Sequence, residues 1–269
     1  MLTFIIALAA GAGGFAVAHH AADAGVGWSV FFGVLSFGVF QAVSGILIQK
    51  RVKRAMEGVQ RILASGQTRL QEKMRRWQLR PPGSLQAAQK EIADDTRVFV
   101  KEALAETETL RRFRLWVPMM DRQIATAKVQ LSWMIKDFKA VDALMPKVLL
   151  VDPMMVAIKI ARMYMTGGDM KAMEKLYRKG VGRVRYNGNV LLAAEWSWIQ
   201  VQKGDADGAF KTLTDALKKS DDATLKRNHE CLMNNRVAHF SNSGIGDQWY
   251  SLLLEEPKVR MQRQRGAFR

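Results

Sequence analysis

The sequence predicts an all-α protein in three parts: an N-terminal transmembrane helical hairpin, a coiled-coil-like helical stalk and a short α-solenoid. Three observations predict it. All 41 Lys and Arg residues follow residue 48, and the first 48 residues carry Asp23 as their one charged side chain. Beyond them, apolar residues recur at alternating steps of three and four, the spacing of a helix–helix seam. The remainder repeats one acid–Ala–Leu pattern at a helical-repeat period, with no segment that reads as a strand.

The hairpin comes first. Residues 2–18 form a 17-residue run whose only polar side chain is Thr3, and residues 26–48 a 23-residue run broken by Ser29, Ser36, Gln41 and Ser44. At about 1.5 Å per residue these reach roughly 26 and 35 Å, against a hydrocarbon core of about 30 Å. The short link between them, with His19 and His20 at its start, favours a two-span hairpin. The rival reading is a cleavable signal peptide with Ala22-Asp23-Ala24 as its processing site, although no basic n-region precedes the apolar run. Small residues (Ala10, Gly14 and Ala18 in the first span; Gly33, Gly38, Ala42 and Gly45 in the second) suit close packing of the two helices. Lys50, Arg51, Lys53 and Arg54 follow the second span directly. The positive-inside rule then puts the C-terminal bulk in the cytoplasm, at an inner (cytoplasmic) membrane.

From residue 49 onward the 221 residues hold all 41 basic and 24 of the 25 acidic side chains, a net charge of +17. The single cysteine, Cys231, excludes an intramolecular disulfide. His229 and Cys231 lack the partners of a zinc site, so the expectation is no metal and no cofactor. Enzyme signatures are missing. Gly180-Val-Gly182 runs into Arg-Val-Arg rather than the Lys-Ser/Thr of a phosphate-binding loop, and neither a Gly-x-Ser-x-Gly elbow nor a His-Glu-x-x-His helix occurs.

Residues 49–117 are expected to form the stalk. Val52, Met56, Val59, Leu63, Gly66, Leu70, Met74 and Trp77 make one seam; Leu85, Ala88, Ile92, Phe99, Ala103, Leu110 and Phe113 make a second. Residues 50–80 carry a net +8 and residues 85–109 a net −3. Opposite charge, similar length and a Pro81-Pro82-Gly83 corner predict that the arms fold back as an antiparallel hairpin. The alternatives are that each arm pairs with another protomer, or that the first stands alone as a solvated helix. The returning arm would bring Arg111, Arg112 and Trp116 to the level of the anionic lipid headgroups, beside Lys50, Arg51, Lys53 and Arg54.

Residues 118–256 read as helical pairs. Asp137, Gly168-Asp169 and Gly204-Asp205 each open a helix that carries Ala (140, 172, 209) and then Leu four residues later (144, 176, 213). Another amphipathic helix precedes each, over about 120–135, 153–166 and 189–203. The units resemble the tetratricopeptide repeat, most closely over residues 190–221, where Ser197, Gly204, Ala209, Leu213 and Ala216 fall at the family's small or apolar positions. Gln200 stands where that family has tyrosine and Asp221 where it has its closing proline. The overall layout also looks like that of HemY-type inner-membrane proteins. The resemblance implies a concave surface for a protein partner, with Arg122, Trp133, Tyr164 and Trp198 on its groove-facing side. Since Trp196 and Trp198 alternate, at least one of them is expected in the core. The basic tail, residues 257–269, suits anionic lipid or solvent.

The leading expectation is therefore a membrane-anchored, cytoplasm-facing adaptor that binds a protein through its repeats. A nucleic-acid- or ribosome-binding protein using the basic stalk and tail ranks second. A self-assembling homo-oligomeric membrane component is the third reading.

Overall fold

The computed structural model describes residues 2–20, 25–80, 83–183 and 188–257, and among these residues there is no strand. The described residues form eleven α-helices in order: α1 (Leu2–His20), α2 (Val26–Leu79), α3 (Leu85–Glu106), α4 (Met120–Met134), α5 (Phe138–Leu144), α6 (Pro153–Met165), α7 (Met170–Arg183), α8 (Gly188–Gln202), α9 (Ala206–Leu217), α10 (Ala223–Met233) and α11 (Asp247–Tyr250). The chain divides into two compact units, Met1–Val148 and Leu149–Arg269.

In the first unit, α1 and the N-terminal part of α2 are long and apolar enough to cross a membrane. They pack on each other through small residues. A Cβ on Gly11 would stand 3.1 Å from the Gly33 carbonyl oxygen, and one on Gly14 would press into Ser36. Gly38 and Gly45, by contrast, have no neighbour within 4 Å and sit on the open side of α2. The small-residue pattern thus serves two faces, and only part of it joins the chain's own helices.

The second apolar segment and the first stalk arm are one unbroken helix. At 54 residues, α2 runs for roughly 81 Å. Its C-terminal half pairs with α3 in antiparallel register, as the opposite charges of the two arms predict. Lys73 pairs with Glu91 at 2.7 Å and with Asp95. Further down, Gly66 faces the Phe99 ring so closely that any Cβ there would overlap it, and Gly58 faces Glu106. The hydrogen bonds that Lys73 donates to Asp95 and Glu91 raise its ammonium above its ordinary pKa. Ser84 starts α3 by accepting a hydrogen bond from the Ala87 N–H at 3.1 Å. The predicted Pro81-Pro82 corner, the proposed Ala22-Asp23-Ala24 processing site and the basic tail after Pro257 lie outside the described residues.

After α3 the chain tightens into a 3-10 helix, Thr107–Phe113. Leu110 and Phe113 from it join Ala55 of α2 and Met120 and Ile124 of α4 in one buried cluster. A second cluster brings Leu131 of α4 against Val59 of α2 and Phe99, Val100 and Ala103 of α3. The pair α4–α5, which sequence spacing groups with the solenoid, is therefore packed into the unit that holds the stalk. Amphipathic periodicity says which face of α4 is buried; it does not say against what.

The second unit is built from helical pairs with one recurring turn. In α6–α7 and α8–α9 the first helix ends on a left-handed glycine, Gly167 (φ 70°) or Gly204 (φ 81°), and an aspartate caps the second. Asp169 accepts from the Lys171 and Ala172 N–H groups, and Asp205 from Gly208 N–H. The α4–α5 turn has the same form, with Asp137 capping Ala140, but its left-handed position is held by Lys136 (φ 58°). Asp152 and Asp222 cap α6 and α10. Among the described residues no full helix answers α10. Two 3-10 turns and the short α11 follow it instead, held by a buried amide chain in which Asn228 donates to Asn242 (2.8 Å) and Asn242 to the Ala194 carbonyl (2.9 Å).

Candidate functional site

The centre of the second unit is α8. Every residue from 191 to 200 is buried, because α6, α7, α9 and α11 all contact this helix. A helix enclosed on all sides needs apolar residues all round, and Val190, Leu191, Leu192, Ala193, Ala194, Trp196, Trp198 and Ile199 supply them. Asn189, Ser197 and Gln200 are buried polar residues among them, and Glu195 is the one ionisable side chain on this helix. Its carboxyl is fully buried with no side-chain partner, and burial pushes its pKa well above the ordinary value, opposed by the Ala161 backbone.

Where α7 and α9 flank α8, they leave an open groove of about 820 Å³. Its floor is aromatic: Trp196 lies parallel to Tyr177, with ring centroids 5.8 Å apart. Burial, then the nearby Asp215, raises the Tyr177 phenol to about 12, so this floor stays uncharged. Thr212 donates to the Gln200 side-chain oxygen at 2.8 Å and locks that polar pair beneath the groove. On the α7 side Met173 and Gly180 are buried; a Cβ on Gly180 would stand 3.0 Å from both Leu192 and Val156, so the missing side chain sets how closely α7 approaches α6 and α8.

The rim is charged and predominantly basic: Lys171, Glu174 and Arg178 from α7, Asp205 capping the start of α9, Lys211 and Asp215 within α9, and Lys218 and Lys219 just past its end. The acids are already engaged. Glu174 pairs with Arg178 at 2.6 Å, and Asp215 with Lys218 at 2.8 Å. The Lys218 hydrogen bond holds Asp215 below the ordinary carboxylate pKa, with Lys211 and Lys219 adding to the effect. Lys171, Lys211 and Lys219 make no ion pair among the described residues. A neutral aromatic floor beneath unneutralised lysines suits an extended ligand that carries carboxylates and at least one apolar group.

The residues singled out by sequence fall elsewhere. Arg122 and Trp133 belong to the first unit and Tyr164 and Trp198 to the second, so the four do not form one surface within either unit. Arg122 is exposed on α4, whereas Trp133 is buried, its ring 5.5 Å from Phe138. Trp198 is only 7% exposed. It meets Tyr164 and Trp249 edge-on, and its indole N–H donates to Glu255 at 2.8 Å. Glu255 accepts from Trp249 as well, also at 2.8 Å, so the C-terminal segment covers the face on which Trp198 lies. Trp133 and Trp198 are core residues in this structure, and both members of the Trp196/Trp198 alternation are buried.

The residues expected at the membrane surface lie on segments that pack together, since Leu110 and Phe113 bury against Ala55. Lys50, Arg51, Lys53 and Arg54 are exposed on α2. Arg111, Arg112 and Trp116 are exposed next to the cluster that holds Ala55. Elsewhere, His229 stacks on Phe210 at 4.4 Å, Cys231 is half-buried, and among the described residues no three His, Cys, Asp or Glu side chains gather.

Sequence reasoning missed the α7–α9 groove. Its signal was available: Lys171, Glu174 and Arg178 on one helix, and Lys211 and Asp215 on the other with Lys218 at its C-cap, recur at three- and four-residue steps. Such a stripe is also what any solvated helix face shows. No family model matches the chain, nor does any curated protein sequence or solved structure.

Proposed function

We propose that this protein is a membrane-anchored helical adaptor whose α7–α9 groove receives an acidic, partly apolar segment of a partner protein. The observation that carries this reading is the lysine-rimmed groove over the Tyr177–Trp196 floor. Fixed rim charges of one sign steer an oppositely charged segment into register, and an aromatic floor supplies apolar contact once it arrives. The recurring turn, a left-handed residue followed by a capping aspartate, supports a tetratricopeptide-like reading of the helical pairs. The two apolar N-terminal helices serve as the anchor, and the basic residues that follow them favour a cytoplasmic location for the bulk of the chain at an inner membrane.

The test is affinity capture of the full chain from gently solubilised membranes, beside a Lys171→Glu, Lys211→Glu, Lys219→Glu variant. A stoichiometric protein lost on charge reversal, together with salt-sensitive binding of a Glu-rich, Leu-containing peptide by the unaltered chain alone, is the expected result. A partner retained by the variant, or RNA as the sole material lost, overturns it; the latter favours the nucleic-acid reading. A second reading, self-assembly through the membrane helices, draws on the open face of α2 where Gly38 and Gly45 meet no neighbour. Mass measurement in nanodiscs tests it by counting copies.

A further inference from the structure

The first unit holds an apolar surface that neither span accounts for. Between the 3-10 helix and α4, Leu115 is 61% exposed, Trp116 37% and Met119 62%. Three arginines flank them. Arg111 pairs with Glu108 (3.0 Å), Arg114 pairs with Asp121 (2.8 Å), and the Arg112 guanidinium lies 4.8 Å above the Phe113 ring. An exposed Trp between aliphatic side chains and arginines is costly in water, yet it matches the boundary between acyl chains and headgroups.

The position of this loop decides its occupant. The Leu2 N–H, at the start of α1, donates to the Leu115 carbonyl at 3.0 Å. Phe113 and Leu110 are buried against Ala55, with Val52, Met56 and Val117 beside them. The loop is therefore fixed to the end of one apolar span and to α2 just beyond the other. Lys50, Arg51, Lys53 and Arg54, exposed at that level of α2, make no ion pair among the described residues.

We propose that the Leu115–Trp116–Met119 loop is a third membrane contact, inserted into the lipid interface, with Arg111, Arg112 and the 50–54 basic cluster holding anionic phospholipid headgroups around it. This inference rests on the reading that α1 and α2 span the bilayer. It pins the returning end of the stalk to the membrane, so that the α2–α3 hairpin is held at both of its lower ends.

The experiment uses the full chain, with Cys231→Ser as background, in nanodiscs of phosphatidylcholine alone or mixed with phosphatidylglycerol. A nitroxide is placed at Leu115→Cys or, as a second site, Met119→Cys, with Val34→Cys in α2 and Arg75→Cys on the distal stalk as references. Relaxation by dissolved oxygen relative to an aqueous nickel complex is read at each. The loop sites are expected to give a ratio several-fold above that of Arg75→Cys and below that of Val34→Cys, rising further with phosphatidylglycerol. Arg111→Gln with Arg112→Gln should remove that rise and leave the phosphatidylcholine value. Water-like loop sites beside a lipid-like Val34→Cys overturn the third contact alone. A water-like Val34→Cys overturns the spanning reading as well. A lipid-like loop indifferent to phosphatidylglycerol overturns the headgroup assignment.

Discussion

Two helices of similar apolar character meet opposite fates in this molecule. The N-terminal part of α2 presents Trp28, Phe31, Val34 and Leu35 outward, with Trp28 64% exposed, whereas α8 buries Leu192, Trp196 and Trp198 on every side. Both break the rule that a helix facing water keeps a polar stripe. In α8 the breach is resolved by protein neighbours, whereas the apolar N-terminal part of α2 packs on α1 and leaves Trp28, Val34 and Gly38 facing open space among the described residues. Uniform apolarity in a helix therefore marks complete removal from water without saying whether protein or lipid does the removing.

The sharpest way to break this comparison is to put the same charge in both places. Ala194→Lys buries an ammonium in a closed core, and thermal unfolding of the second unit should fall by more than about 4 kcal/mol in stability. Val34→Lys should leave that unfolding unchanged and cost about 2.5–3.5 kcal/mol in membrane insertion instead. Equal losses of folding stability at the two positions would show that α2 is a core helix.

Next in size is the clasp that closes α8. Glu255→Ala leaves the indole N–H groups of Trp198 and Trp249 without their shared acceptor, and a loss of about 2 kcal/mol is expected in urea unfolding followed by tryptophan fluorescence. An unchanged midpoint would mean that water reaches both indoles and that α8 is less enclosed than the structure has it.

A pH scan sharpens the contrast further. Burial raises the folded-state pKa of Glu195 above its ordinary 4.5, so the folded state holds a proton that the unfolded chain releases. The contribution is fully present below the unfolded pKa and is lost as pH rises toward the folded one. Stability should fall by at most about 1.4 kcal/mol per pH unit from about pH 5 upward, and Glu195→Gln should flatten the slope. Glu108, held below the ordinary range by its hydrogen bond to Lys128, and Asp215, held down by Lys218, work in the opposite sense. Their contributions are lost only as pH falls through their depressed pKa values, outside that window.

The smallest effect separates the turns of the two units. Lys136 occupies a left-handed position where Gly167 and Gly204 stand in the other pairs. Lys136→Gly should therefore stabilise the first unit by about 0.5–1 kcal/mol, read as a rise in melting temperature. A decrease would mean that the lysine side chain contributes more than its backbone strain costs.

Much of the framework is local and was legible in the residues. Capping requires only a short polar side chain a few positions before an N–H, so Asp137, Asp169, Asp205 and Ser84 disclose four helix starts. Register between the stalk arms follows from charge and seam spacing, which is why Lys73 lies against Asp95 and Gly66 against Phe99. The site was less legible. Trp198 has the spacing of a groove residue and is covered by Glu255, 57 positions away; no periodicity contains that contact. The lysine rim looks like ordinary solvated surface until α7 and α9 are seen to face each other across Trp196.

By itself, then, the sequence determined that this chain is helical, where its helices begin, that its first two are apolar enough for lipid, and that the stalk arms attract each other. These depend on neighbours a few residues apart or on bulk composition and charge. Tertiary structure alone decided that α4 joins the stalk, that Trp133 and Trp198 are core, and that a basic groove opens between α7 and α9. Those outcomes depend on which buried face meets which, and amphipathic faces of similar width are interchangeable until side-chain volumes, such as the bare Gly66 and Gly180, choose between them.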